Sequence, residues 1–170
     1  MSFLDLARER YSCRSLTPDA IDPSKLDAIL EAARVAPTAV NKQPFHIWVV
    51  TSDEGVERIG QVTKYTFGAR TFIVVGSKPD TAWVRKSDNA NFCDVDASIV
   101  ATHIMLAVTD QGLATTWVGL FDAPLMAQLF PQMQGYHLDA IFPIGAPADD
   151  AEPSPRHTER QPLENIVSFI

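Results

Sequence analysis

Apolar positions recur along this chain at two alternating spacings, which predict both helices and strands. Between Asp22 and Pro37 they fall three and four residues apart, as on one face of a helix. A longer apolar stripe over residues 94–111 predicts the longest helix, with Gly112 at the position typical of a helix end. Further apolar residues beside this stripe indicate that the helix is buried on more than one side.

Strands and shorter helices are predicted around these two helices. Runs rich in β-branched and aromatic residues predict four strands, at residues 45–51, 71–75, 115–118 and 140–144. Capping residues predict short helices that begin at Ser2, at Ser52 or Asp53, and at Asp122. The alternation predicts an α/β or α+β sandwich whose strand order periodicity does not fix, and we expect one domain over residues 1–170.

Composition narrows the class of protein. The 170 residues are 46% apolar and 21% charged, as in an ordinary globular domain. A net charge of −7 argues against non-specific binding to nucleic acid or to an anionic membrane. Cys13 and Cys93 show no metal-ligand spacing and indicate free thiols. The N-terminus lacks the pattern of a signal peptide and no apolar run is long enough for a membrane span, so we expect a cytoplasmic protein.

Two basic segments are candidates for binding a phosphate group. Arg10, Ser12 and Arg14 put two guanidinium groups and a hydroxyl within five residues, and these groups donate charge-assisted hydrogen bonds to phosphate. Arg156 and Arg160, in a proline-rich stretch near the C-terminus, could converge on the same place. The alternative for the first segment is a solvated helix end with ordinary surface arginines, and the local pattern alone favours it.

Two further segments could approach a flat ligand. The turn-rich stretch 37–43 leads into the first predicted strand and offers backbone donors and polar side chains. Gly119 follows Trp117 and Val118 and would let a flat ligand or another backbone come close. The alternatives are a plain connection for the first segment and core packing for Trp117.

Other catalytic patterns are missing from the sequence. The four histidines have no ligand spacing with a carboxylate or thiolate, so no metal site is predicted. Asp94 and Asp96 lie near a predicted helix start and suit capping and the helix dipole. No nucleophile elbow, glycine-rich phosphate loop or dinucleotide fingerprint occurs.

The order of several motifs resembles the FMN-binding nitroreductase family. The motifs are Arg10-x-Ser12-x-Arg14, Pro37-Thr38-Ala39-x-Asn41-x-Gln43-Pro44-Phe45, Gly112-Leu113, Trp117-Val118-Gly119, Gly145-x-Pro147 and Arg160-x-Pro162-Leu163. This resemblance implies an α+β fold with a central, mostly antiparallel sheet flanked by helices. It also implies a homodimer with FMN at the subunit interface.

The resemblance assigns cofactor-binding roles by position. Arg10, Tyr11, Ser12 and Arg14 would hold the phosphate, the ribityl chain or the pyrimidine edge, and Arg156 and Arg160 in the tail would close on the phosphate. The partner's turn-rich loop would approach the flavin through Pro37, Thr38, Ala39, Asn41 and Gln43. Trp117, Val118 and Gly119 would flank the ring.

The implied activity is that of an FMN-dependent NAD(P)H oxidoreductase. In ping-pong kinetics, NADH or NADPH would reduce flavin N5, and a nitroaromatic, quinone or similar acceptor would then be reduced. Such chemistry needs no catalytic side chain from the protein. Two alternatives stay open: a flavin-binding or storage module without turnover, and a relative acting on flavin or on a dehalogenation or dehydrogenation substrate.

The chain departs from the family pattern in three places. Residues 76–92 leave little room for the helices that often cover the substrate face, which leaves the substrate and nicotinamide contacts undefined. Thr158 stands where a basic residue is common, and Ala146 where an aromatic residue is common.

Overall fold

The computed structural model describes residues 2–170, which form an α+β arrangement of a four-stranded sheet, a small two-stranded sheet and six α-helices. The helices are α1 (Phe3–Glu9), α2 (Pro23–Arg34), α3 (Asp53–Val62), α4 (Cys93–Asp110), α5 (Ala123–Leu129) and α6 (Leu163–Ile166). The strands are β1 (Phe45–Val50), β2 (Thr71–Ser77), β3 (Val84–Arg85), β4 (Ala90–Asn91), β5 (Ala114–Thr115) and β6 (His137–Gly145).

The central sheet is antiparallel throughout, in the order β1-β2-β6-β5. Strand β2 is buried along its whole length because helices cover both faces of the sheet. Its side chains alternate between two cores: Phe72 and Val74 pack with α3 and α5, and Ile73 and Val75 pack with α2 and α4. The predicted mostly antiparallel sheet flanked by helices is therefore confirmed.

Several helices begin at the capping residues that the sequence predicted. Ser2 and Asp5 form a reciprocal capping box at α1, and the Asp22 side chain caps α2 ahead of Pro23. Ser52, rather than Asp53, caps α3 through its hydroxyl. The buried residues of helix α4 lie on one face. The predicted burial on more than one side is therefore wrong within this chain, because Val95 on the opposite face is 48% exposed.

Each strand of the central sheet differs from its predicted bounds. Strand β1 ends one residue earlier, at Val50, strand β2 runs two residues further, to Ser77, and β5 and β6 differ more. Strand β5 ends at Thr115, and Val118 keeps only a single bridge to Ile141, because the intervening residues leave the sheet to line a cleft described below. Strand β6 begins at His137 instead of residue 140, because His137 and Leu138 still pair with Ser77 and Gly76 beyond a bulge.

The short segment after β2 contains no α-helix. It forms a 3-10 turn at Pro79–Thr81 and the small β3–β4 hairpin, which was not predicted. No helix among residues 2–170 is both long enough and apolar enough to cross a membrane.

Candidate functional site

The edge of the sheet fixes the direction of the Arg10–Arg14 side chains. Ser12 forms a parallel bridge with Thr115, and the Cys13 amide donates to the Thr115 carbonyl at 3.0 Å. The Cys13 side chain is fully buried in the core. Because neighbouring side chains on an extended segment point to opposite sides, burial of Cys13 turns Ser12 and Arg14 outwards.

The C-terminal tail returns to this same segment. The His157 ring lies edge-on to Tyr11 with 6.2 Å between centroids, and its Nε2 donates to the Arg8 carbonyl at 3.1 Å. Ser15 donates its hydroxyl hydrogen to Asp150 at 2.7 Å. Burial raises the pKa of Tyr11 to about 12, which agrees with a packing role for its ring. These contacts place tail residues 154–160 opposite residues 10–14.

A polar cavity of about 400 Å³ lies between the two segments. Every side chain that lines it is polar, and none is acidic. Within residues 2–170, no salt bridge forms to any of its four arginines, whereas four arginines elsewhere each pair with a nearby carboxylate. The lining residues are Arg10, Ser12, Arg14, Ser154, Arg156, His157 and Arg160; the paired arginines are Arg34, Arg58, Arg70 and Arg85.

The electrostatics of this arginine cavity favour an anion. Burial, and then the positive charge of Arg160, lower the pKa of Arg10. Both effects mean that the cationic form of Arg10 is held in an unfavourable environment, although the whole chain carries a net charge of −7. A phosphate group would offset the repulsion and accept hydrogen bonds from guanidinium and hydroxyl donors.

A second cavity, of about 210 Å³, adjoins the first, because Arg14 lines both. Trp117 packs edge-on against Phe142, with 5.4 Å between ring centroids, and also faces this cleft. The structure thus supports both readings of Trp117, as core and as cleft wall. The remaining lining residues are Tyr65, Phe67, Thr116, Val118, Gly119 and Leu120.

Gly119 leaves this aromatic cleft open. A Cβ atom added there would meet only Trp117 Nε1, at 3.9 Å. Packing within the chain therefore does not require glycine at this position, and the free space suits the close approach of a flat ring.

The turn-rich loop contributes to neither cavity, since none of Pro37, Thr38, Ala39, Asn41 and Gln43 lines either one. Its backbone is strained: φ is 45° at Val40, 55° at Asn41 and 50° at Gln43. A β-branched residue rarely adopts such a left-handed conformation, and strain of this kind is concentrated at ligand sites.

A buried carboxylate on α4 holds this loop in place. Asp96 is 1% exposed, and its Oδ1 accepts the Ala39 amide hydrogen at 2.8 Å. The predicted capping role of Asp96 is wrong, because α4 begins after Phe92 with no side-chain cap and the Asp96 side chain bonds to the loop instead. The Thr38 hydroxyl also accepts from the Gln43 amide at 2.9 Å.

Several lining residues were missed by sequence reasoning. Tyr65 and Phe67 enter the aromatic cleft from the loop after α3, where Phe67 has a φ of 51° and precedes Gly68. The aromatic pair before a glycine was the available signal. Ser154 and His157 flank the predicted Arg156 in the arginine cavity. Tyr11 was predicted as a site residue but packs beside the cavity rather than lining it.

Comparisons with known proteins cover most of the chain. The model of the nitroreductase family matches residues 7–67 and 64–146. A solved nitroreductase family protein from Clostridium difficile 630 is 34% identical, with a TM-score of 0.91 over 99% of this chain and 98% of that one. A Bacillus subtilis protein, provisionally named an NAD(P)H nitroreductase, is 33% identical over 98% of this chain and 97% of its own length. A protein from Exiguobacterium sibiricum, solved in complex with FMN, shares the fold with a TM-score of 0.85 at 20% identity, over 100% of this chain and 98% of that one.

The Asp96→Ala variant tests the attachment of the strained loop. A hydrogen bond to a charged group contributes about 1.5–3 kcal/mol, so hydrogen–deuterium exchange at the Ala39 amide should become roughly 10 to 150 times faster. Asp96→Asn keeps an acceptor oxygen and should restore part of the protection, and Asp110→Ala, at the far end of α4, is the control. Unchanged exchange at Ala39 in Asp96→Ala would show that this carboxylate does not hold the loop.

Proposed function

The chain belongs to the nitroreductase family, and from this premise we propose that it binds FMN and acts as an NAD(P)H-dependent oxidoreductase. The observation that carries the proposal is a cavity whose four arginines form no salt bridge within residues 2–170 and which shares Arg14 with an aromatic cleft. The arginine cavity suits a phosphate group and the aromatic cleft suits a planar ring. FMN joins two such groups through a flexible ribityl chain.

The chemistry of the residues that line the two cavities fits FMN. Arg10, Arg156 and Arg160 would bind the phosphate with Ser12 as a hydroxyl donor, while Arg14 lies between the two cavities. Trp117, Val118 and Gly119 would flank the ring, and Tyr65 and Phe67 would close the cleft from the other segment. Tyr11 would support the tail through His157.

The protein would mainly orient the reactants and exclude water. Bound FMN supplies the redox chemistry, taking reducing equivalents from NADH or NADPH and passing them to an acceptor such as a nitroaromatic or a quinone. The Arg14 guanidinium would provide positive charge where charge develops on the reduced ring. The aromatic lining of the cleft would keep solvent away from the ring and admit flat acceptors.

We propose that a second copy of the chain completes each site. The loop 37–43 lies outside the cavities of its own chain. The outer face of α4 carries a groove of about 490 Å³, lined by Asp94, Val95, Ser98, Ile99, Thr102 and His103. The tail beyond residue 160 is exposed throughout although it is rich in apolar residues. An unpartnered apolar face of this kind favours association, and a homodimer would bring the loop of one copy to the flavin of the other.

FMN and riboflavin titrations test the phosphate assignment. FMN carries a phosphate group that riboflavin lacks, so the wild type should bind FMN far more tightly than riboflavin. Arg10→Ala combined with Arg160→Ala removes two charge-assisted contacts of about 1.5–3 kcal/mol each and should weaken FMN binding by roughly 100-fold or more. Riboflavin affinity should change little. The surface variant Arg34→Ala is the control, and full FMN affinity in the double variant would contradict the assignment.

Anaerobic reduction tests the oxidoreductase activity. With FMN bound, one of the two nicotinamides, NADH or NADPH, should bleach the flavin absorbance faster than it bleaches free FMN at the same concentration. Addition of a quinone or nitroaromatic should then restore the oxidised spectrum. Bound flavin that stays oxidised with both donors would refute turnover and favour a flavin-binding module.

The Val95→Asp variant tests the α4 face as the dimer contact. Val95 is 48% exposed, and Val84 in the small hairpin, at 42%, provides a matched control. A charge buried at an interface is costly, so Val95→Asp should shift the protein from dimer to monomer in light scattering and reduce FMN retention. Val84→Asp should do neither. A monomeric wild type that retains FMN would contradict the shared site.

A further inference from the structure

Three potential metal ligands meet where α4 and β6 begin. One ligand atom each from Asp94, His137 and Asp139 lies within 4.8 Å of the other two. His137 Nδ1 is 2.8 Å from Asp94 Oδ1 and 3.9 Å from Asp139 Oδ1. The sequence showed no such site because Asp94 and His137 are 43 residues apart in the chain. The fold creates the ligand spacing that the linear sequence lacks.

Asp139 is the unusual member of this group. Its side chain is only 6% exposed, and its Oδ2 has no hydrogen-bond partner among the described residues. It is also the extra residue of the β6 bulge, because Val75 pairs with Ala140 and Gly76 pairs with Leu138. A buried carboxylate oxygen without a partner is costly, and a bound cation would offset that cost.

We propose that Asp94, His137 and Asp139 bind a divalent transition-metal cation such as Zn²⁺. One imidazole nitrogen and two carboxylate oxygens are ligands that Zn²⁺ accepts, at about 2.0–2.2 Å. Ligand atoms at this bond length in a tetrahedron lie about 3.4 Å apart. His137 Nδ1 is 2.8 Å from Asp94 Oδ1 and 3.9 Å from Asp139 Oδ1, so a shift of about half an ångström in each contact would bring these three atoms to that geometry. Asp94 is 59% exposed on its side chain, which leaves space for a small shift of its carboxylate.

A neighbouring contact would support this metal site. The Cys93 thiol lies 3.0 Å from Asp94 Oδ1 and donates to it, which restrains the carboxylate. Asp94 is also two residues before Asp96, the carboxylate that holds the loop at Ala39. A cation at this place would fix the first turn of α4, and the proposal does not depend on flavin binding.

Zinc titration of the chelator-treated, full-length protein tests the proposal. The readouts are calorimetry and competition with a chromophoric chelator. The wild type should bind one equivalent of Zn²⁺ and gain thermal stability. Mutating a residue that only hydrogen-bonds to a metal ligand lowers metal affinity roughly 10–100-fold. His137→Ala and Asp139→Asn each remove a ligand itself, so each should lower the affinity for Zn²⁺ by at least that factor.

Two control variants distinguish this site from adventitious binding. His46→Ala removes another exposed histidine, and Asp110→Asn removes an exposed carboxylate at the other end of α4. Both should bind Zn²⁺ as the wild type does. Asp139→Asn removes a buried charge and should stay folded by circular dichroism. Absence of stoichiometric zinc binding, or unchanged affinity in the folded Asp139→Asn and His137→Ala variants, would overturn the proposal.

Discussion

The candidate site depends on four arginine side chains that line one cavity and form no salt bridge within residues 2–170. The sheet edge holds Arg10 and Arg14 on one side, and the tail carries Arg156 and Arg160 to the other. Like charges gathered in a partly buried cavity destabilise a protein unless an anion accompanies them. The arrangement therefore supports the proposal that a phosphate ester binds in this cavity.

Helix α4 links this site to the proposed second copy. Its inner face is packed in the core, which fixes the helix relative to the sheet. Near its start, Asp96 holds the strained loop, and the outer face that includes Val95 is free for a partner. One rigid element thus positions the loop and presents the surface through which the loop would reach another chain's flavin.

Features that depend on local chemistry could be predicted from the sequence. Ser2 and Ser52 cap their helices because capping needs only nearby backbone donors. The arginine cavity was anticipated in part, because residue types suited to phosphate stand out even before they meet. Contacts between distant segments could not be predicted: Asp96 bonds to an amide 57 residues away, and the aromatic cleft needs Phe67 beside Gly119.

A crystal structure of the protein with FMN would test the central claim most directly. The account predicts the phosphate within hydrogen-bond distance of Arg10 and Arg160, with the ring against Trp117 and Gly119. It also predicts that the loop 37–43 nearest each ring comes from the second copy. A phosphate outside the arginine cavity, or a ring bound elsewhere on the chain, would contradict the account.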